Sequence, residues 1–211
     1  MNLIQKDFLL IKNKLLLYGA ICLFIVVLAR FATPYEMINS AISAAVGPIF
    51  AYFVTMIAFE AEGKHKSEIL TVTLPYMRHE IIRAKYKSVL LTAALFYLIC
   101  IIVEAGFAWI NGQKFTGGGI VCGIALSLLV YAFMIPFFVK LEYVKAANLM
   151  MMGFMMLGVL GALVSKVLQG SKPPAVLFEK MGSFSMLAAG IAALVFSYLI
   201  SEFLYERKEF S

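Results

Sequence analysis

The sequence predicts an all-α, polytopic membrane protein. Of its 211 residues, 63% are hydrophobic and only 14% are charged, whereas soluble globular chains are about half apolar and a quarter charged. The mean hydropathy is +0.93. The apolar residues also fall into six runs that approach the length needed to cross a bilayer, about 20 residues at about 1.5 Å rise each. We therefore predict a single transmembrane domain over residues 1–211.

Residues 2–14 are predicted to form an amphipathic helix before the first span. Ile4, Phe8 and Ile11 recur on one helical face, and the lysines lie largely away from it. A helix of this kind lies flat in the membrane interface with its lysines on lipid phosphates. A signal peptide is disfavoured, because Asp7 interrupts the start and further spans follow.

The apolar runs are predicted to be helices, because backbone groups in hydrocarbon must find hydrogen-bond partners within their own segment. Pro48 is expected to bend the second span. Small residues, including Ala44, Gly47 and Gly190, mark predicted helix contacts. The six predicted spans cover residues 15–32, 37–59, 88–110, 117–139, 146–165 and 181–203.

The distribution of lysine and arginine between the loops predicts the orientation of these spans in the membrane. An even number of spans puts both termini on one side, together with the long loop between spans two and three. That side holds thirteen of the 18 lysines and arginines, and the other side holds five. Because basic residues concentrate in cytoplasmic loops, the termini and the long loop are predicted to be cytoplasmic.

Several classes of chemistry are disfavoured by the residues present. The net charge of +6 is what a membrane protein gains against anionic lipid, so nucleic acid is not an expected partner. The phosphate-binding pattern Gly-x-x-x-x-Gly-Lys-Ser/Thr does not occur. No histidine lies in a predicted span, and the three cysteines have no metal-ligand spacing. We predict no catalytic residue, no metal and no cofactor on this chain.

Residues 60–87 form the long polar interval between spans two and three. Ser67 can cap a short helix, Pro75 ends it, and Arg78 to Lys87 is predicted to restart as a basic interfacial helix before the third span. One interpretation is a segment built to contact another protein. The alternative is an ordinary solvated loop held to anionic lipid by its positive charge.

The pattern Ser67-Glu68-Ile69-Leu70, Thr73-Leu74-Pro75, Arg78 and Ala84-Lys85-Tyr86 resembles the small permease subunits of ABC-2 type ABC transporters. In that family a coupling helix after the second span docks on a separate ATP-binding subunit. Met77 departs from the pattern, since the family often has serine there. The resemblance implies that these residues contact the ATPase subunit: Lys66, Ser67, Glu68, Leu70, Thr71, Leu74 and Arg78.

The same resemblance implies that the second and fifth spans line the transport pathway between paired permeases. Candidate pathway residues are Tyr52, Phe53 and Phe59 on the second span and Met151 and Met155 on the fifth. Methionine suits surfaces that accept many apolar shapes. Ordinary packing or contact with lipid is the alternative for these side chains.

Glu104 is an acidic residue inside the third predicted span, about six residues from its end, whereas Glu202 is the next-to-last residue of the sixth. Placing the charge of Glu104 at the bilayer centre would cost about 2.5–3.5 kcal/mol on insertion scales. Glu104 is therefore either a gate or cation-contacting group on the exit path, or an interfacial carboxylate that reaches the lipid headgroups.

The resemblance implies the permease subunit of an ATP-driven exporter in a bacterial plasma membrane, similar to exporters of phenol-soluble modulins and antimicrobial peptides. The expected partners are an ABC ATPase subunit, which would hold ATP and magnesium, and a second permease copy or a sister permease. The expected cargo is an amphipathic or hydrophobic peptide or a lipophilic drug. Two alternatives stay open: an ion- or proton-coupled carrier without an ATPase, and a non-transporting immunity or scaffold protein.

Overall fold

The computed structural model describes residues 3–32, 36–64, 78–110, 117–141, 143–153 and 183–206, and every regular element within them is an α-helix. This confirms the predicted all-α class. The helices are α1 (Leu3–Ala32), α2 (Glu36–Lys64), α3 (Arg78–Ile110), α4 (Gly118–Lys140), α5 (143–153) and α6 (Ser183–Glu206).

Four segments of the described helices are long and apolar enough to cross a membrane: Ile42–Glu60 in α2, His79–Ile110 in α3, Gly118–Lys140 in α4 and Ser185–Tyr205 in α6. They confirm a polytopic helical membrane protein. The limits of the six predicted spans stay predictions, and the predicted fifth span extends beyond residue 153, outside the described residues.

Large apolar side chains cover much of the outer surface of the bundle. Leu98, Phe133 and Phe196 are examples, each more than half exposed. A helix in a soluble protein keeps such residues on one inward face, whereas a helix in lipid is apolar all round. The exposed surface therefore fits contact with hydrocarbon.

Two predicted interfacial helices are continuous with the predicted spans that follow them. α1 runs without interruption from Leu3 to Ala32, so it covers residues of both the predicted interfacial helix and the predicted first span. α3 likewise joins the predicted interfacial helix over residues 78–87 to the third span in one 33-residue helix, about 50 Å long. Neither junction contains a proline or glycine, the residues that most often interrupt a helix.

Helix α4 has two main neighbours in the bundle. α4 lies against both α2 and α6, and α1 lies against α2 and α3. On the inner faces, the rings of Phe50 in α2 and Phe96 in α3 stack with centroids 3.8 Å apart. These contacts form one continuous apolar core.

Glycines permit the closest helix approaches. A Cβ added to Gly123 in α4 would lie 3.1 Å from the carbonyl oxygen of Ser43 in α2, and one added to Gly190 in α6 would lie 3.0 Å from that of Ala125 in α4. Both distances are tighter than ordinary packing allows. The α2–α4 and α4–α6 contacts therefore depend on small residues, as membrane helix interfaces commonly do.

Gly47 in α2 makes room for a polar contact between α3 and α4. The hydroxyls of Tyr97 and Ser127 hydrogen-bond to each other, and Ser127 Oγ donates to the carbonyl oxygen of Gly123 at 2.8 Å. A Cβ on Gly47 would overlap the Tyr97 hydroxyl and lie 3.0 Å from Ser127 Oγ. Three helices thus meet at a point where a single methyl group does not fit.

We expect Gly47→Ala to destabilise the bundle by about 1–3 kcal/mol, the usual cost of overpacking a filled interior. Thermal unfolding in detergent would show this as a lower midpoint. Gly106→Ala is the matched control, because nothing lies within 4 Å of a Cβ there. Equal midpoints for the two variants would contradict the assignment of Gly47 as a packing glycine.

Candidate functional site at the ends of α2 and α3

The predicted ATPase-contact segment is carried by two described helices. α2 ends at Lys64 and α3 begins at Arg78, so Arg78 is the first residue of α3. The other predicted contact residues lie outside the described residues: Lys66, Ser67, Glu68, Leu70, Thr71 and Leu74. The described part of the site therefore consists of the end of α2 and the start of α3, which flank this segment.

Lys85 of α3 is buried between aromatic rings near this end of the bundle. Its side chain is only 8% exposed. The ammonium nitrogen lies 4.8 Å from the ring centroid of Phe59 in α2 and 5.8 Å from that of Tyr205 in α6. A cation over an aromatic face gains about 2 kcal/mol when water is excluded, which offsets part of the cost of burying the charge.

The rings around Lys85 extend the contact to two more helices. Phe59 stacks on Phe138 of α4 with centroids 5.0 Å apart, and Phe138 stacks on Tyr143 of α5 with centroids 6.1 Å apart. We call Phe59, Lys85, Phe138, Tyr143 and Tyr205 the base cluster. It joins five helices, α2 to α6, at one level.

Tyr86 adds a polar contact beside the base cluster. Its hydroxyl hydrogen-bonds to Ser197 Oγ at 2.7 Å and to Ser201 Oγ at 2.8 Å, both in α6, and all three side chains are buried. On the exposed side, Arg83 lies near Tyr198 and Glu202 of α6. The first turns of α3 are thus fixed to α6 by hydrogen bonds as well as by aromatic packing.

An ion pair attaches α1 to the same end of the bundle. Lys14 Nζ lies 2.8 Å from Glu60 Oε2 in α2, with the lysine side chain 52% exposed and the glutamate 19% exposed. A pair this accessible contributes at most about 1 kcal/mol. The ion pair matters because of where it lies. Glu60 is one turn before the end of α2, so the pair links α1 to that end.

These contacts make the ends of α2 and α3 parts of one packed unit. A force applied to the segment between them would act on two helices that are tied to each other and to the rest of the bundle. The sequence pattern contained Lys85 and Tyr86, but their basic surroundings predicted an interfacial helix for them. A basic loop favours headgroup contact, and nothing in the sequence shows that Phe59 and Tyr205 converge on Lys85.

The predicted pathway residues do not share one described surface. Phe59 is buried in the base cluster. Phe53 is partly buried and stacks on Tyr18 of α1 with centroids 4.7 Å apart, and Tyr52 is partly buried beside it. Met151 is about half exposed, whereas Met155 lies outside the described residues. Their role as pathway lining stays a prediction.

Glu104 lies inside the bundle rather than at the headgroups. Its side chain is 3% exposed, and it accepts a hydrogen bond from Ser43 Oγ of α2. A neighbouring cavity of about 10 Å³ is lined by residues that include Val26 and Cys100, which is about the space of one water molecule. The interpretation of Glu104 as a carboxylate reaching lipid headgroups therefore does not hold, because α1 and α2 cover it.

Comparison with known proteins identifies the family. A family model described as "ABC-2 family transporter protein" matches residues 2–206. No curated protein and no solved structure matched the chain. The matched range contains every described helix, including both helices that flank the loop between α2 and α3. The chain therefore belongs to the ABC-2 transporter family and is a membrane permease component of the ABC transporter class.

Proposed function

We propose that this chain is the permease subunit of an ATP-driven exporter whose ATP is bound and hydrolysed, with magnesium, by a separate ABC ATPase subunit. The observation that carries the proposal is the base cluster, which ties together the two helices leading into the loop that resembles a coupling segment. A loop with only a solvating role would not need both of its helices anchored through a buried cation.

In this mechanism the ATPase subunit contacts the segment containing Ser67, Glu68 and Leu70. Closure of the ATPase chains displaces that segment, and α2 and α3 move with it because Phe59 and Lys85 are in contact. α6 follows through the hydrogen bonds of Tyr86. Movements of this type are rigid-body shifts of packed helices rather than local unfolding.

The proposed cargo is an amphipathic or hydrophobic peptide or a lipophilic drug. Lys85 and Glu104 are the buried charged side chains among the described residues, and Lys85 is covered by aromatic rings. The described interior therefore offers few charged groups that could replace the water around a strongly ionic cargo. Two permeases, identical or sister chains, would enclose the pathway.

The proposed location is a bacterial plasma membrane with both termini in the cytoplasm. Supporting this orientation, the end of the bundle that carries the base cluster also carries exposed lysines of three helices, Lys14, Lys87 and Lys140. Basic residues favour the cytoplasmic side of a membrane protein, which is where an ATPase subunit would bind.

A proton-coupled carrier is the second candidate, and buried Glu104 is the observation that favours it. Ionisable groups inside a membrane bundle often belong to proton relays. Glu104 is held by Ser43, however, and the anchored helix ends would have no evident use in a carrier that works without a partner. We therefore favour the ATP-driven mechanism.

Replacing Glu68 and Leu70 together by alanine should weaken binding of the ATPase subunit that copurifies from native membranes. Loss of a charged and an apolar contact at an interface costs about 2 kcal/mol or more, so we expect roughly a thirtyfold or greater rise in Kd in detergent. Glu36→Ala, at the other end of α2, is the control. Undiminished assembly of the double variant would refute the assigned contact.

Lys85→Met should leave ATPase binding intact and uncouple it from transport. Methionine keeps the length of the side chain but removes the cation, with a loss of about 2 kcal/mol of ring contact. ATP-dependent cargo efflux from proteoliposomes should fall strongly, and Lys85→Arg should restore much of it. Lys87→Met is the matched control, because it removes an exposed charge from the same helix. Similar efflux from the Lys85→Met and Lys87→Met variants would exclude a transmitting role for Lys85.

Glu104→Gln separates the two candidate functions. Glutamine can still accept the hydrogen bond from Ser43 but cannot carry charge or release a proton at ordinary pH. For an ATP-driven exporter we expect ATP-dependent efflux to persist when the proton gradient is collapsed, in the wild type and in the variant. Efflux that needs the gradient and disappears in Glu104→Gln would instead establish the carrier.

A further inference from the structure

We propose that Ser43 and Glu104 form a latch that holds the outer half of α2 in place, and that this half swings about Pro48 when the latch opens. The outer half of α2 is residues 36–47, and the base half is residues 48–64. The latch lies towards the ends of α2 and α3 that are opposite the base cluster.

The backbone of α2 is weakest around Pro48. Proline has no N–H, so the carbonyl of Ala44 one turn earlier lacks the helical hydrogen bond from residue 48, and the proline ring crowds it. Gly47 stands directly before the proline, where most residues resist the helical conformation and glycine is the least constrained. Helices change direction at such positions, so a hinge in α2 is expected here.

α4 lies against α2 at this weak point. A Cβ added to Gly123 of α4 would lie 3.1 Å from the carbonyl oxygen of Ser43 and 3.3 Å from that of Ala44. The second of these is the carbonyl that Pro48 deprives of its helical donor. Because glycine presents no side chain there, the contact brings the two backbones together without interlocking side chains that would fix the angle between them.

The base half of α2 is fixed by aromatic contacts. Phe50 stacks on Phe96 of α3, and Phe53 stacks on Tyr18 of α1. Phe59 belongs to the base cluster and lies under the ammonium group of α3. These contacts are spread along the base half, so it is expected to move with α3 as one body.

The outer half of α2 is held to α3 by the hydrogen bond that Ser43 Oγ donates to the Glu104 carboxylate. α3 contains no proline, and its first glycine, Gly106, comes after Glu104. Glu104 therefore sits on the same uninterrupted helix as Lys85 of the base cluster. Bending of α2 at Pro48 would leave the base contact intact and separate Ser43 from Glu104. Hydrogen bonds between membrane helices are weak enough to open reversibly.

A small cavity beside the latch makes its opening easier. The cavity has a volume of about 10 Å³, and Ser43, Gly47 and Glu104 are among its lining residues. A space of this size accepts one water molecule. When Ser43 and Glu104 separate, a water between them can hydrogen-bond to both side chains. That exchange replaces the broken hydrogen bond, which keeps the latched and open states close in free energy.

Opening of the latch would move the end of α2 that lies across the membrane from the base cluster. On the basis of the proposed function, this is the outer end, and its displacement would widen the exit of the cargo pathway after the base has moved. Ser43 and Glu104 would then be positioning residues for the open state.

The test measures distances between two spin labels by pulsed electron paramagnetic resonance, with the full-length chain in lipid nanodiscs. The three native cysteines are replaced by alanine. The outer pair of labels is placed by Ala45→Cys, exposed on the outer half of α2, and Leu199→Cys, exposed on α6. The base pair uses Ala58→Cys, partly exposed on the base half of α2, with the same α6 position. We expect one narrow distance distribution for each pair while Ser43 is present.

Ser43→Ala removes the donor of the latch. The distribution of the outer pair should widen by about twofold or split, because the outer half then populates two orientations, and that of the base pair should not change. Thr55→Ala is the matched control, since it removes a buried hydroxyl from the base half of the same helix, and it should change neither distribution. An outer distribution that is the same in Ser43→Ala and Thr55→Ala would overturn the proposal.

Pro48→Ala tests the hinge, because alanine restores the N–H that the carbonyl of Ala44 lacks. In the double variant Ser43→Ala, Pro48→Ala, the outer distribution should return to its narrow width. Widening that persists in the double variant would exclude Pro48 as the hinge and overturn the proposal.

Two variants of Glu104 separate the latch from a general loss of packing. Glu104→Gln still accepts the hydrogen bond from Ser43 and should keep the narrow outer distribution, whereas Glu104→Ala should widen it. Equal widths for the two variants would overturn the proposal. The readout needs neither the ATPase subunit nor cargo, so its result is independent of whether the proposed transport function is correct.

Discussion

One ammonium group between two aromatic rings fixes the level at which three helices of this bundle meet. Lys85 touches Phe59 of α2 and Tyr205 of α6, and Phe59 continues the contact to Phe138 of α4. In hydrocarbon, apolar side chains gain little by packing on each other rather than on lipid, so helix association depends on close fit and on polar groups. A cation that must find partners inside the bundle therefore specifies which helices meet and at what level.

The opposite half of the bundle uses a different means of association. There, close contact depends on glycine, at Gly47, Gly123 and Gly190, and on hydroxyl contacts such as that of Tyr97 with Ser127. Hydrogen bonds of this kind contribute roughly 1 kcal/mol each in membrane proteins. The base is thus anchored by a buried charge and aromatic stacking, whereas the opposite half of the bundle is held by close contacts at glycines and by weak hydrogen bonds.

Much of the fold could be predicted from the sequence, because hydropathy and the need to satisfy backbone hydrogen bonds leave helices as the structure for such apolar runs. The family also follows from a local pattern around Ser67 to Tyr86. The burial of Lys85 and Glu104 could not be predicted, since each depends on side chains more than twenty residues away in the sequence. The continuity of α1 and of α3 from their basic first turns onward was not part of the prediction, because those basic residues indicated contact with lipid headgroups.

The uninterrupted length of α3 has a geometric consequence. Tyr86 attaches α3 to α6 near one end, and Ile110 lies 24 residues farther along the same 33-residue helix, about 36 Å away. A rotation of only about 10° around that attachment would sweep the far end through about 6 Å, if the helix stays straight. A small angular change on one face of the membrane can therefore become a displacement wider than a side chain on the other.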